Sequence, residues 1–437
     1  MRARSTRGRA PATTVADAIA AGLAPDGGLY MPDDWPRRAP AEFDDDASLP
    51  AVATRLLAPF FADGPLAAAL PGICADALAI APPLQPFGAP DDHVLELFHG
   101  PTAAFKDYGA AFLAGCLAAL PRGETPLTIV VATSGDTGAA VAAAFHGRPG
   151  FRVAILYPDG RVSPRQAHQL GCFGDNIRAF RVDGSFDDCQ HIAKALLSDA
   201  AYRAEVPLGS ANSISLGRLL PQAAYYAHAA LRHWRGTGRA LGFVVPTGNL
   251  GNALACLLAR RMGMPIGGIV LASNANDVLP AFFAGGDYAQ RPSIATLANA
   301  MDVGAPSNFE RLQWLYPDAG ELRSVLRAEA VDDDAIRAAV VRTQARRGYV
   351  ACPHTACAAE VLDRLRARGE PGDWAVVATA HPAKFPDAVE RATGLRPALP
   401  AFLADLHDRP ERVSALPNNL RAVQDYVLSH RRNDRNP

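Results

Sequence analysis

At 437 residues, 49% of them hydrophobic and 20% charged, the chain has the composition of a folded protein of two or three domains, not of a disordered or fibrous one. Its 43 basic residues are balanced by 44 acidic ones, so no overall field attracts nucleic acid, and any anionic ligand must be held by a local site. Seven irregularly spaced cysteines, with no CxxC pair, argue against a disulfide framework and for reduced thiols in a cytoplasmic compartment.

The chain opens with Arg2, Arg4, Arg7 and Arg9. Asp17 interrupts the next stretch and no continuous apolar run appears, so a secretory signal is not indicated, while composition alone leaves an Arg-rich transit peptide open. Residues 11–90 read as short helices, among them 14–21 and 49–62, set between turns such as Ala24-Pro25-Asp26-Gly27-Gly28. We expect an N-terminal, mostly helical domain over 1–90.

Lys106 lies in the stretch 98–107, between Phe105 and an Ala-rich apolar run that starts at Tyr108. Such flanks desolvate an ammonium and lower its pKa, which suits a nucleophile that forms a Schiff base. A lysine snorkelling from the first turn of a helix has the same flanks.

From residue 94 onward, apolar β-rich runs alternate with Ala-rich helices. Strands are expected at 127–132, 153–157, 243–245, 266–272 and 374–378, and helices at 139–145 and 253–262. Strands buried on both faces and joined by helices indicate parallel α/β layers, whose ligands bind at the carboxyl ends of the strands. The uncharged run 240–259 contains Pro246, Gly248, Asn249, Gly251 and Asn252 and is no membrane span.

Three loops fall where chemistry is expected. Ser134-Gly135-Asp136-Thr137-Gly138 and Gly248-Asn249-Leu250-Gly251-Asn252 each combine small residues with a helix start, a design that turns backbone N–H groups toward one anion. Neither is a Walker or a GxGxxG motif. In the third, Asn212 and Ser213 precede Arg218, whose guanidinium can clamp a phosphate, and Pro221 should kink the helix near Gly217. Ordinary helix caps would use the same residue types. Cys352, His354 and Cys357 raise a metal site, but no further cluster completes four ligands, so no metal is expected. Asp332 reads as a helix cap, and the polar tail from 398 as partly helical and frayed at its end.

One lysine in apolar surroundings and three anion-competent loops fit a phosphate-bearing aldehyde cofactor, though spacing does not identify it. The stretches 98–107, 131–138, 156–164, 212–222, 246–251, 297–303 and 379–385 resemble, in order, the motif series of the threonine synthases. These are pyridoxal 5'-phosphate (PLP) enzymes of the tryptophan synthase β-like group, fold type II, and the match is to their long-chain form. The resemblance runs from residue 5 to residue 395.

It implies an α/β fold with two parallel-sheet domains behind the N-terminal helical one. The large PLP-binding domain would take 91–125 and 212–395, the small mobile domain 126–211, and a C-terminal extension 396–437. It further implies that Lys106 bonds to PLP and then serves as acid and base. Gly248, Asn249, Leu250, Gly251 and Asn252 would bind the cofactor phosphate, Thr379 the pyridine nitrogen, and Asp136 would lie near the ring hydroxyl. Ser134 and Thr137 would receive the substrate carboxylate, and Asn212, Ser213, Arg218 and Lys384 its phosphate. The implied reaction converts O-phospho-L-homoserine and water into L-threonine and phosphate in a cytoplasmic monomer or homodimer, with no nucleic-acid or membrane partner. A PLP phospho-lyase of the same fold releasing 2-oxobutyrate, or a non-catalytic phosphometabolite-binding protein, would keep most of these motifs. Ala103, Leu250 and Cys352 depart from the family pattern and bear on pocket shape.

Overall fold

The structure, a computed structural model, describes residues 1–133, 135–160 and 162–433. The N-terminal segment carries the expected helices Val15–Ala21 and Leu49–Phe61, capped by Thr14 and Ser48, whose side chains accept N–H bonds from Asp17 and Ala51. It also carries a small antiparallel sheet that the sequence does not foretell, in the order β2-β1-β3, from β1 (Arg2–Ser5), β2 (Thr13–Thr14) and β3 (Tyr30–Pro32). These strands are too short for a period-2 pattern to stand out.

The chain then lays down β4 (Leu84–Phe87) and β5 (Ala89–Glu96), leaves for β6 (Leu127–Ala132), β7 (Phe151–Pro158), β8 (Ile177–Asp183) and β9 (Leu208–Ser210), and returns for β10 (Leu241–Pro246), β11 (Ile266–Ser273), β12 (Arg327–Ala330) and β13 (Asp373–Ala378). A last strand, β14 (Val413–Pro417), comes from the tail. Six strands form one sheet in the order β12-β11-β10-β13-β5-β4, parallel except for β4. Five form a second, wholly parallel sheet in the order β14-β8-β7-β6-β9. The central strands are buried along nearly their whole length, which is why they read as unbroken apolar runs.

Three expectations shift. The helix expected from 139 starts at Asp136, because Gly135 supplies the positive φ of 143° at which the chain turns out of the preceding loop. The segment expected to kink near Gly217 is instead two helices, Leu216–Leu219 and Gln222–Thr237, broken at Leu220 and Pro221, since proline lacks the N–H that a continuous helix needs. The tail is more than helix: β14 pairs with β8, and Val423 and Val427 of the helix Leu420–Asn433 join the core of the five-stranded sheet. Asp332 caps the helix Asp333–Arg347 as expected. Residues 434–437, expected to fray, lie outside the described residues.

Candidate active site

The loops expected to carry chemistry all leave carboxyl ends of parallel strands: β6 leads to Asp136, β9 to Asn212, β10 to Gly248 and β13 to Thr379. Lys106 is brought to them by an antiparallel zipper. The Phe105 N–H donates to the Thr379 carbonyl (2.9 Å) and the His381 N–H to the Ala103 carbonyl (3.0 Å), so the end of β13 fixes the residues just before the lysine. Ala103 sits in this zipper at φ 55°, fully buried, in a conformation that bulkier β-branched residues rarely tolerate.

Lys106 opens the helix Lys106–Ala119 and is half-buried. Desolvation pulls its pKa down to about 8; Asp136 opposes this, and Arg218 and Lys384 add to it. The three charges that act on Lys106 therefore come from three segments far apart in the chain. The helix itself packs on the helix Asp136–Phe145 and on Leu216–Leu219. At the second contact Gly109 is obligatory, since a Cβ there would fall 2.9 Å from the Arg218 carbonyl oxygen.

Asp136 is buried and ion-paired to buried Lys384 at 2.8 Å. Burial works against its carboxylate, but Lys384 and Lys106 outweigh burial and hold its pKa well below the usual range. Lys384 also donates to the Thr102 carbonyl at 2.7 Å, so two of its three N–H groups are engaged. Gln166 donates from Nε2 to Asp136 (3.0 Å) and accepts from Asn299 Nδ2 (3.1 Å) on its other atom. Arg165 donates to the Ala383 carbonyl at 2.5 Å. These contacts bridge the two sheets, because Asp136, Arg165 and Gln166 follow strands of the five-stranded sheet, while Asn299, Ala383 and Lys384 follow strands of the six-stranded one.

Arg218 is 2% exposed. Its Nη1 donates to the Ala211 carbonyl (2.8 Å), while its Nε is buried without a partner among the described residues. Burial lowers its pKa to about 10, and Asp107 opposes the shift. The Asn212 Oδ1 and Ser215 Oγ are likewise buried and unpaired among the described residues. A buried cation beside unsatisfied polar atoms is costly unless a ligand completes it. Ser213 accepts 2.6 Å from Asn249 Nδ2, which joins this segment to the glycine loop.

In that loop, Gly248 is in contact with the Met301 backbone, where a Cβ would fall 2.8 Å from Cα. Leu250 takes φ 64° just before the helix Gly251–Arg261, whose first N–H groups have no intrahelical acceptor. The Asn252 Oδ1 accepts from the hydroxyls of Tyr225 and Tyr226 at 2.6 and 2.9 Å, while its Nδ2 is buried without a partner among the described residues. Thr379 is buried at the end of β13, and Thr137 is half-buried in the first turn of its helix. Ser134 lies outside the described residues. Across that turn, Thr133 Oγ1 accepts from the N–H groups of Gly135 and Gly138, both at 3.0 Å.

The structure adds residues that motif reading passes over. His354, weighed in the sequence only as a metal ligand, is buried and within electrostatic reach of Asp136, Lys106 and Lys384. Burial, first among the causes, lowers its pKa to about 4, and its Nε2 accepts from the Ala300 N–H at 3.1 Å. That bond requires the Nε2 lone pair and fits the neutral ring. Cys357 Sγ turns away to the Ser273 carbonyl (3.4 Å). Asn299 lies within the motif stretch 297–303 and Gln166 just beyond 156–164, but neither is given a role by the sequence reading.

The donor set fits PLP: an amine of lowered pKa, and small residues at a helix N-terminus whose free N–H groups suit a phosphate.

Three family models match segments that together span most of the chain. The model described as pyridoxal-phosphate dependent enzyme matches residues 94–383, threonine synthase N terminus matches 2–78, and threonine synthase, C-terminal matches 355–427. The chain is 38% identical to a threonine synthase of Escherichia coli (strain K12), covering 95% of this chain and 96% of that one. Among solved structures, it is similar to PLP-bound threonine synthase from Brucella melitensis, with TM-score 0.90, 37% identity and coverage of 98% and 99%. It is also similar to threonine synthase from yeast, with TM-score 0.88, 30% identity and coverage of 98% of each chain.

Proposed function

The chain belongs to the threonine synthases, a family of PLP-dependent enzymes, and we propose that it converts O-phospho-L-homoserine and water to L-threonine and phosphate through the residues gathered around Lys106. The observation that carries this reading is the buried Arg218 within electrostatic reach of Lys106, its Nε unpaired among the described residues, with the glycine loop tied to the same segment by the bond from Asn249 to Ser213. The loop suits the phosphate of the cofactor and the arginine that of the substrate.

Bound at Lys106, PLP supplies the electron sink that makes loss of a substrate Cα proton feasible. Gly248–Asn252 offers it backbone N–H groups, Thr379 a hydroxyl and Asp136 a carboxylate. Lys106, with its lowered pKa, removes the Cα proton and acts again as acid and base at the neighbouring carbon. Arg218, Asn212 and Ser213 hold the substrate phosphate until it departs from Cγ, and Lys384 adds charge. Ser134 and Thr137 take the carboxylate. A proton is then delivered to Cγ, which becomes the methyl group, water adds its hydroxyl at Cβ, and a proton returns to Cα; of the protons taken from Cα, Cβ and water, the third leaves with the phosphate, and the reaction balances. The bridges from Asp136, Arg165 and Gln166 keep the two sheets together over these steps and limit the entry of further water. The cytoplasm is the proposed location; all seven cysteines are buried and free, and no helix among the described residues is long and apolar enough to cross a membrane. Lys106→Ala is expected to abolish turnover and the yellow absorbance of the lysine-bound cofactor together. Turnover retained in that variant would refute the role of Lys106.

A further inference from the structure

Asparagine at a helix N-cap ordinarily accepts an N–H of its own helix. Asn308, which precedes the helix Phe309–Leu315, makes no such bond. Its Nδ2 donates to the Asn249 carbonyl in the glycine loop at 2.8 Å, and its Oδ1 accepts from Arg311 Nη1 at 2.6 Å. Arg311 is completely buried. Its Nη2 donates to the Ile214 carbonyl at 2.7 Å and to the Tyr30 carbonyl at 3.0 Å, where Nε also reaches at 3.3 Å. Every acceptor of these bonds is a carbonyl or amide oxygen, and the guanidinium's counter-charge among the described residues is the neighbouring Glu310 carboxylate, which acts on it without a direct hydrogen bond.

The direction of the bond from Asn308 matters. The Asn249 carbonyl and the Leu250 N–H belong to one trans peptide plane and point to opposite sides. Fixing the carbonyl on Asn308 turns the Leu250 N–H the other way, and it does so at a residue held at φ 64°, which needs its surroundings to keep it there. The Asn249 side chain is pinned as well, donating to Ser213 Oγ and accepting from the Ser307 N–H, both at 2.6 Å.

We propose that Arg311, acting through Asn308, is a positioning residue that holds the glycine loop in the shape in which it receives the cofactor phosphate. The inference rests on the reading of Gly248–Asn252 as the phosphate loop. PLP and pyridoxal carry the same aldehyde and differ in the phosphate, so their competition for Lys106 isolates what the loop contributes. Holoenzyme equilibrated with mixtures of the two, then reduced with borohydride and weighed by mass spectrometry, gives the ratio in which they occupy the lysine.

The wild-type protein should favour PLP strongly. Arg311→Lys and Asn308→Ala should each cut that preference by about tenfold or more. Asn308→Ala removes the donor to Asn249 and adds no charge at the loop, so it remains informative if Arg311→Lys does not fold. A fault confined to general packing would weaken both aldehydes alike and leave the ratio unchanged. Gly251→Ala serves as the control, because a Cβ there meets nothing nearer than 3.6 Å yet adds a methyl at the start of the helix that faces the phosphate. If Gly251→Ala lowers the preference while both other variants keep it, the role of Arg311 is overturned. If all three keep it, the phosphate-loop reading itself is wrong and the inference goes with it.

Discussion

The pKa of Lys106 is a balance between desolvation, which is the larger effect, and the nearby Asp136 carboxylate. A lysine whose folded pKa is about 8, below its unfolded value, costs stability wherever both states are protonated. The penalty is therefore full below pH 8 and fades as pH rises toward the unfolded pKa, since in that window the unfolded chain holds the extra proton. Cofactor-free Lys106→Met should then be more stable than the cofactor-free wild type at pH 7, by roughly 2 kcal/mol after allowing for partial exposure. Denaturant midpoints between pH 7 and 10 should show that gap closing, and a gap that stays constant would mean the lysine is not desolvated. Arg218 is the complementary case, a cation whose Nε has nothing to bond to within the described protein. Arg218→Ala should raise KM for O-phospho-L-homoserine by about a hundredfold, the scale of lost charge-assisted hydrogen bonds. Steady-state kinetics with KM and kcat both unchanged would remove Arg218 from the phosphate site.

At the scale of elements, the site depends on the helix that Lys106 begins. It packs on the helix Leu216–Leu219 so closely that Gly109 has no room for a side chain. Gly109→Ala must push the Arg218 backbone away, at a cost of about 1–3 kcal/mol in stability, and should raise KM more than it lowers kcat. Thermal unfolding together with kinetics checks this, and an unaffected KM would uncouple the helix contact from phosphate binding. These elements also mark what the sequence could and could not reveal. The strands at β6, β7, β10, β11 and β13 were legible because burial on both faces leaves long apolar runs. Lys106 and the glycine loop were legible as local patterns. The pairing of Asp136 with Lys384 was not, since the partners meet only when the two sheets pack together. Asn308 and Arg311 were invisible for a related reason: their meaning lies in bonds to Asn249, Ile214 and Tyr30, three segments far apart in the chain. Strand β14 escaped notice because its pairing with β8, and not its own composition, makes it a strand.

Across the whole molecule, two parallel sheets present their carboxyl ends to one another and the N-terminal segment braces them. Thr6 and Arg7 bond to Glu310, next to the Arg311 that reaches the glycine loop by way of Asn308. The tail closes the edge of the five-stranded sheet through β14. Several bridges hold the two layers together at these ends, an arrangement that suits the proposed reaction, which must admit one water and exclude others. The alternative chemistry of the same fold, elimination of phosphate with release of a 2-oxo acid, would result if water failed to reach Cβ. The most direct test is to incubate the purified, PLP-loaded protein with O-phospho-L-homoserine and measure phosphate, threonine and 2-oxobutyrate in the same samples. Phosphate and threonine should accumulate in equal amounts; phosphate accompanied by 2-oxobutyrate and no threonine would contradict the assignment.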